Sequence, residues 1–162
     1  MDLIGDAPTP EEHHRVVSLL GRETKSRYTI AARNATGDPV VLMNLPIMDD
    51  GTPMPTMFWL VGADEVAAVG KLEASGAVDE VEAIIGLEAI DGIHARYAAE
   101  RDALVPDDHT GPRPFGGVGG TRRGVKCLHA HFAWWLAGGD DTVGEWVAAR
   151  LDEAGARVAV RQ

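Results

Sequence analysis

The chain has a single cysteine, Cys127, so an intramolecular disulfide is excluded and a reducing compartment is expected. Its first fourteen residues, MDLIGDAPTPEEHH, lack the basic and apolar runs of a signal peptide. No apolar run approaches the roughly 18 residues needed to cross a bilayer. Basic residues are in deficit: 15 Lys and Arg stand against 25 Asp and Glu, for a formal charge of −10. That balance leaves no broad basic face to displace phosphate counterions, which argues against a general nucleic-acid binder. The expectation is a soluble, cytoplasmic protein with no nucleic-acid or membrane partner.

What is present suits one globular domain. A chain of 162 residues and 17.3 kDa buries roughly two-thirds of its unfolded surface. Its 45% hydrophobic and 25% charged content is ordinary for a soluble protein. Residues 1–162 read as a single domain, with 1–8 expected to be flexible. The Gly- and Pro-rich stretch 106–122 reads as a loop that either forms part of a site or is disordered. No internal repeat is visible.

Thr9-Pro10-Glu11-Glu12 marks a helix start, with Thr9 as N-cap, Pro10 in the first turn and capping-box spacing to Glu12. His13 and His14 on this helix lie about 100° apart and form no chelating pair. Short β-forming runs near 27–33, 40–45 and 56–61 are separated by the turn signals of residues 34–39 and 49–55. They predict antiparallel strands, and the alternation of Arg157–Arg161 predicts a further edge strand.

From Asp64 the periodicity turns helical. It predicts a helix capped by Asp64 and running through Leu72, then an apolar stripe from Val78 to about Leu104 weakened at Gly86 and Gly92. Helices from Val125 to Ala137 and from a Thr142 cap through Leu151 follow. The expected fold is α+β, a small antiparallel sheet packed against four to five helices. Phe58, Trp59 and Phe132 are expected in the core under the sheet. Of the adjacent Trp134 and Trp135, one should enter the core and the other ride near the surface.

The densest chemistry lies between Gly116 and Gly139. Glycines 116, 117, 119 and 120 lead into Arg122, Arg123 and Lys126, then Cys127, His129 and His131. The glycines spell neither a dinucleotide fingerprint nor a Walker A loop. They do suit an anion site, in which backbone N–H groups of Gly119, Gly120 and the next helix point outward, Arg122 and Arg123 add bidentate contacts, and Lys126 adds a point charge. His129 or His131 would orient or protonate the ligand. Against this stands the plain alternative that the glycines only relieve a close approach and the cations offset nearby acids.

Cys127, His129 and His131 are also competent ligands for zinc or iron. On a helix only Cys127 and His131 share a face, so that pair would need a further ligand such as Asp140 or His109. A third chemistry is a thiol favoured by Arg123 and Lys126, with a histidine as base. For Cys127 the plain alternative is inert burial in a core. For His94 it is a partly buried or surface position.

Four blocks carry a resemblance: Gly124-Val-Lys-Cys-Leu-His-Ala-His131, Asp50-Gly-Thr-Pro-Met-Pro-Thr56 leading into Phe58-Trp59-Leu60, Leu72-Glu-Ala-Ser-Gly76, and Ala137-Gly-Gly-Asp-Asp-Thr-Val-Gly144. Together they resemble domain of unknown function 501, a bacterial family well represented in actinobacteria, over roughly residues 10–150. The resemblance implies no activity. It does imply genomic neighbours in cell division and phosphate metabolism, and with them a non-enzymatic partner role as one alternative. Members typically carry Arg-Cys-Pro where this chain has Arg33-Asn34-Ala35, and Thr-Cys-Pro where it has Val61-Gly62-Ala63. Asn34 and Gly62 therefore replace two thiolate donors, and a metal site of relatives would here be lost or rebuilt with His129, His131 or a carboxylate. The leading expectation is binding of a small anionic or phosphorylated ligand. The alternatives are a metal-dependent or thiol enzyme centred on Cys127, His129 and His131, and a protein partner.

Overall fold

A computed structural model describes residues 3–161. The chain runs α1 (Pro10–Leu20), β1 (Tyr28–Arg33), β2 (Pro39–Asn44), β3 (Phe58–Leu60), α2 (Ala63–Ala74), α3 (Ala77–Ile85), α4 (Leu87–Asp102), a 3₁₀ turn (Val118–Gly120), α5 (Leu128–Leu136) and α6 (Thr142–Glu153). The fold is α+β, with one more helix than the upper expectation. The stripe from Val78 to Leu104 divides at Gly86, whose φ of +88° ends α3 and starts α4, while Gly92 stays helical.

The α1 capping box forms as its sequence implies. Thr9 accepts from the Glu12 N–H at 3.2 Å, and Glu12 accepts from the Thr9 N–H at 2.8 Å. The sheet is antiparallel in the order β1-β2-β3. Asn34 turns the chain between β1 and β2, its Oδ1 accepting from the N–H groups of Thr36 and Asp38 at 3.0 and 2.9 Å. The central strand β2 is buried along its whole length. Val41 and Met43 join the main core, while Leu42 faces a smaller cluster with Val16, Tyr28, Ile30 and Val61. Leu19, Leu20 and Trp59 pack on that smaller cluster, so α1 covers one face of the sheet and the remaining helices supply the core on the other.

Several expectations are corrected. Arg157–Arg161 forms no ladder with the sheet: Ala159 is buried and Val158 packs on the main core, so side-chain packing and not strand pairing holds the segment. Asp141 rather than Thr142 caps α6, accepting from the N–H groups of Val143 and Gly144 at 2.9 and 3.2 Å. Gly62 rather than Asp64 is the N-cap of α2. Of the segment expected to be flexible, residues 1 and 2 lie outside the described residues. Beyond them the Asp6 carbonyl accepts from the Ile30 N–H at 2.9 Å, which ties the segment to β1.

Phe58, Phe132 and Trp134 are buried as expected. Tyr97 packs edge-on against Trp134 at 5.1 Å between ring centroids, and its hydroxyl accepts from the Met57 N–H. Burial pushes the Tyr97 phenol well above its ordinary range. Trp135 stays partly exposed, and Trp59 is only partly buried. Both carry a guanidinium over the ring, as does Trp146: Arg22 lies 5.1 Å from Trp59, Arg161 5.1 Å from Trp135, and Arg150 5.0 Å from Trp146.

Candidate functional site

The helix expected from Val125 begins three residues later. Val125 and Lys126 stay outside it, because the chain approaching α5 is held by carboxylates from α2 and α3. Glu82 Oε2 accepts from the Val125 N–H at 3.4 Å, and Glu73 Oε2 accepts from the Leu128 N–H at 2.8 Å. Cys127 is thus the N-cap residue of α5, with extended backbone at φ −151° and ψ 150°. This alters the face arithmetic drawn from a longer helix. Cys127 meets His129, while His131 turns inward.

The donor atoms of Glu73, Cys127 and His129 all lie within 4.8 Å of one another. His129 Nδ1 stands 2.9 Å from Glu73 Oε1, and its Nε2 is 3.3 Å from the Val66 carbonyl oxygen. A carbonyl only accepts, so Nε2 carries a proton. The Cys127 sulfur raises the pKa of His129, burial opposes that, and the Glu73 carboxylate adds to the rise. All three residues are half-buried, which leaves the cluster reachable from solvent.

His131 belongs to a second, buried cluster and supplies nothing to the first. Its Nδ1 donates to Asp141 Oδ2 at 2.7 Å, and its Nε2 is buried with no hydrogen-bond partner among the described residues. The His94 ring lies 5.9 Å away between centroids. His94, read from sequence as partly buried or surface, is buried: its Nδ1 accepts from the Val118 N–H at 3.0 Å, and its Nε2 donates to the Gly124 carbonyl at 2.7 Å. Asp140, suggested as an extra metal ligand, instead pairs with Arg96 at 3.2 Å. His109 is engaged with the Pro112 carbonyl at 2.8 Å.

The glycine loop uses several of its own donors. The Gly117 N–H goes to the Thr121 carbonyl at 2.7 Å, the Gly120 N–H to the Gly117 carbonyl at 3.0 Å, and the Val118 N–H to His94. Three glycines between 116 and 124 answer to close packing, Gly116 among them, where a Cβ would lie 2.7 Å from the Gly120 carbonyl oxygen. A Cβ on Gly117 would lie 2.3 Å from the His94 Cβ, and one on Gly124 2.6 Å from Glu82 Oε2. Arg122, Arg123 and Lys126 are exposed, with no carboxylate in ion-pair range among the described residues. Arg122 stacks on Phe115 at 5.3 Å. Buried Arg101 secures the loop entrance, its guanidinium donating to the carbonyls of Pro55, Phe115 and Gly116 at 3.2, 3.3 and 2.9 Å.

The family described as "Protein of unknown function (DUF501)" matches residues 30–149, well over half of the chain. The chain belongs to this family. No curated protein and no solved structure matches it. In this DUF501 chain the two positions where the resemblance placed cysteines have structural roles. Asn34 closes the β1–β2 turn, and Gly62 leaves room for the Glu65 carboxylate, which a Cβ there would approach to 2.6 Å.

Sequence reasoning missed Glu73, which reaches Cys127 and His129 only through the packing of α2 against α5. It also missed Asp141 as the partner of His131. The Asp140-Asp141-Thr142 step held a signal for the latter, since either acid can serve as an N-cap. Among the described residues no helix is long and apolar enough to cross a membrane.

Proposed function

We propose that this DUF501 protein binds a divalent transition-metal ion of the zinc or ferrous class through Glu73, Cys127 and His129. One observation carries the reading. His129 spends its Nε2–H on the Val66 carbonyl, so in the neutral ring Nδ1 offers a lone pair, and that lone pair faces Glu73 Oε1 at 2.9 Å. Two acceptors and a sulfur then converge on one point, and only a cation between them makes that favourable. It is either a proton on the imidazole or a metal ion. A ring nitrogen fixed by a backbone carbonyl while the other faces the cluster is the usual support for a ligating histidine. A tetrahedral ion with ligand bonds of about 2.0 Å separates two such donors by about 3.3 Å, so the pair has to open by only about 0.4 Å.

Cys, His and Glu are three protein ligands, and a tetrahedral ion would keep its fourth position for water or substrate. A bound ion would lower the pKa of that water and polarise an oxygen placed there. Metal uptake displaces protons from Cys127 and His129, so affinity rises with pH. Titrating metal-free protein with zinc at pH 6 and pH 8 tests this. Saturable one-to-one binding that is tighter at pH 8, and lost in Cys127→Ser and His129→Ala, is expected. Equal weak binding by wild type and both variants would remove the proposal.

A second reading has its own support, the three exposed cations Arg122, Arg123 and Lys126 on the segment leading to Cys127. They suit a small anionic or phosphorylated ligand. With several loop N–H groups engaged internally, the side chains rather than the backbone would hold the charge. Thermal stabilisation by inorganic phosphate that disappears in the Arg122→Ala/Arg123→Ala variant is expected, and an unchanged shift rejects this reading.

A further inference from the structure

We infer that His94 is an acid-sensitive latch on the loop of residues 117–124, a role separate from the metal reading. Its two ring nitrogens hold the two ends of that loop. Val118 N–H is a donor and nothing else, so Nδ1 accepts from it at 3.0 Å and carries no proton. The Gly124 carbonyl is an acceptor and nothing else, so Nε2 carries the proton it donates at 2.7 Å. The partners therefore admit one state of the ring, the neutral Nε2–H form. An imidazolium has no lone pair. Protonating Nδ1 would set two N–H groups against each other and leave the buried Val118 N–H without an acceptor.

The surroundings make that substitution of states all or none. His94 and Val118 are 6% and 1% exposed, so water cannot stand in for the lost acceptor without the loop moving. The ring also fills the space where a side chain at residue 117 would sit. The loop is short and closed on itself through Gly117 and Thr121, so release at Val118 frees a compact unit.

The groups facing the ring set its range. On α5 it meets His131, whose charged form would oppose a second charge, and behind that stands Asp141 at the start of α6, which favours charge. On its own helix Asp91 also favours charge. Glu82 from α3 lies beside Gly124, and Arg101 of α4 holds the Phe115 and Gly116 carbonyls just before the loop. Burial is the largest influence and lowers the pKa of His94 below the ordinary histidine value of about 6.5. The latch is closed at neutral pH and opens on acidification.

What opens is the chain that displays Arg122 and Arg123 and continues into Lys126 and Cys127. Residues 125–128 keep their separate anchors on Glu82 and Glu73. The expected change is thus local to 117–124.

The test is nuclear magnetic resonance on the full chain, free of metal so that it stands whatever Glu73, Cys127 and His129 bind. Ring nitrogen shifts at pH 7.5 report the His94 tautomer, and amide exchange corrected for intrinsic rates reports loop opening. The expected results are an Nε2–H ring at pH 7.5 and at least a tenfold loss of Val118 protection as His94 titrates. The loop amides should follow, while Val41 and Met43 hold theirs. His94→Gln keeps a donor and an acceptor but does not titrate, so its Val118 protection should be independent of pH. An Nδ1–H ring at pH 7.5, protection at Val118 unmoved through the His94 titration, or simultaneous loss at Val41 and Met43 would each overturn the latch. The wild-type data decide even if the variant does not fold.

Discussion

Replacing Glu73 separates its two jobs. One carboxylate oxygen caps α5 through the Leu128 N–H at 2.8 Å, and the other faces His129 Nδ1 at 2.9 Å. Glu73→Ala removes both. A lost capping bond costs about 1 kcal/mol, and a half-exposed ion pair adds at most about 1 kcal/mol after solvent screening. The sum, about 1–2 kcal/mol, corresponds to a fall in melting temperature of about 2–8 °C for a domain of this size.

Glu73→Gln is more telling, because its amide oxygen still caps Leu128 and its NH₂ donates to a neutral Nδ1. It should match wild type at pH 8.5 and fall below it at pH 6. The sign follows from His129, whose folded pKa is raised. Its charged form contributes stability fully present below the unfolded value of about 6.5 and lost as pH rises through the folded value. Because Cys127 is the larger cause of that rise, Glu73→Gln diminishes the pH dependence without erasing it. Melting curves of the three proteins between pH 5.5 and 9 check this. A Gln variant uniformly weaker than wild type, with no trend in pH, refutes the reasoning.

Other sites give sharper single readings. Arg101→Met should cost about 1–3 kcal/mol, because it removes the buried donor shared by the Pro55, Phe115 and Gly116 carbonyls at the loop entrance, and no measurable loss in urea denaturation would contradict that role. Gly117→Ala, with its Cβ aimed 2.3 Å from the His94 Cβ, should destabilise by about 2 kcal/mol and speed exchange at Val118. Burial raises the pKa of Glu65, so its protonated form contributes stability below the ordinary carboxyl range that is lost as pH rises through the folded value. Glu65 Oε2 also has no hydrogen-bond partner among the described residues, so Glu65→Gln should be neutral or stabilising by about 1 kcal/mol at pH 7.5 and without benefit at pH 4, read from melting temperatures.

Local rules made much of this fold legible. Thr9 and Glu12 sit at capping distance in sequence and cap in space, and the Asn34–Pro39 turn needs only its own side chain and Gly37. Gly86 breaks a helix because its φ is positive, a property of the residue itself. What failed was decided by partners far along the chain. Cys127 is an N-cap because carboxylates of α2 and α3 take the N–H groups beside it. No spacing within residues 116–139 reveals Glu73. The alternation of Arg157–Arg161 marked which residues face the core, Ala159 among them, but alternation does not specify that the segment pairs with a strand. The candidate cluster was half visible: Cys127 and His129 stand out in the sequence, Glu73 beside them does not, and His131 is drawn inward by Asp141.

The guanidinium groups over Trp59, Trp135 and Trp146 bear on how this acidic protein behaves in a crowded solution. Three indole faces that would otherwise be adhesive each carry a hydrated cation, so self-association through them would require stripping that charge. The three are also placed for contact with small quenchers, whereas Trp134 is sealed beneath Tyr97. Emission that resists quenching therefore comes from one residue, packed edge-on against Tyr97 and donating to Glu100, and gives a built-in optical probe of that interior.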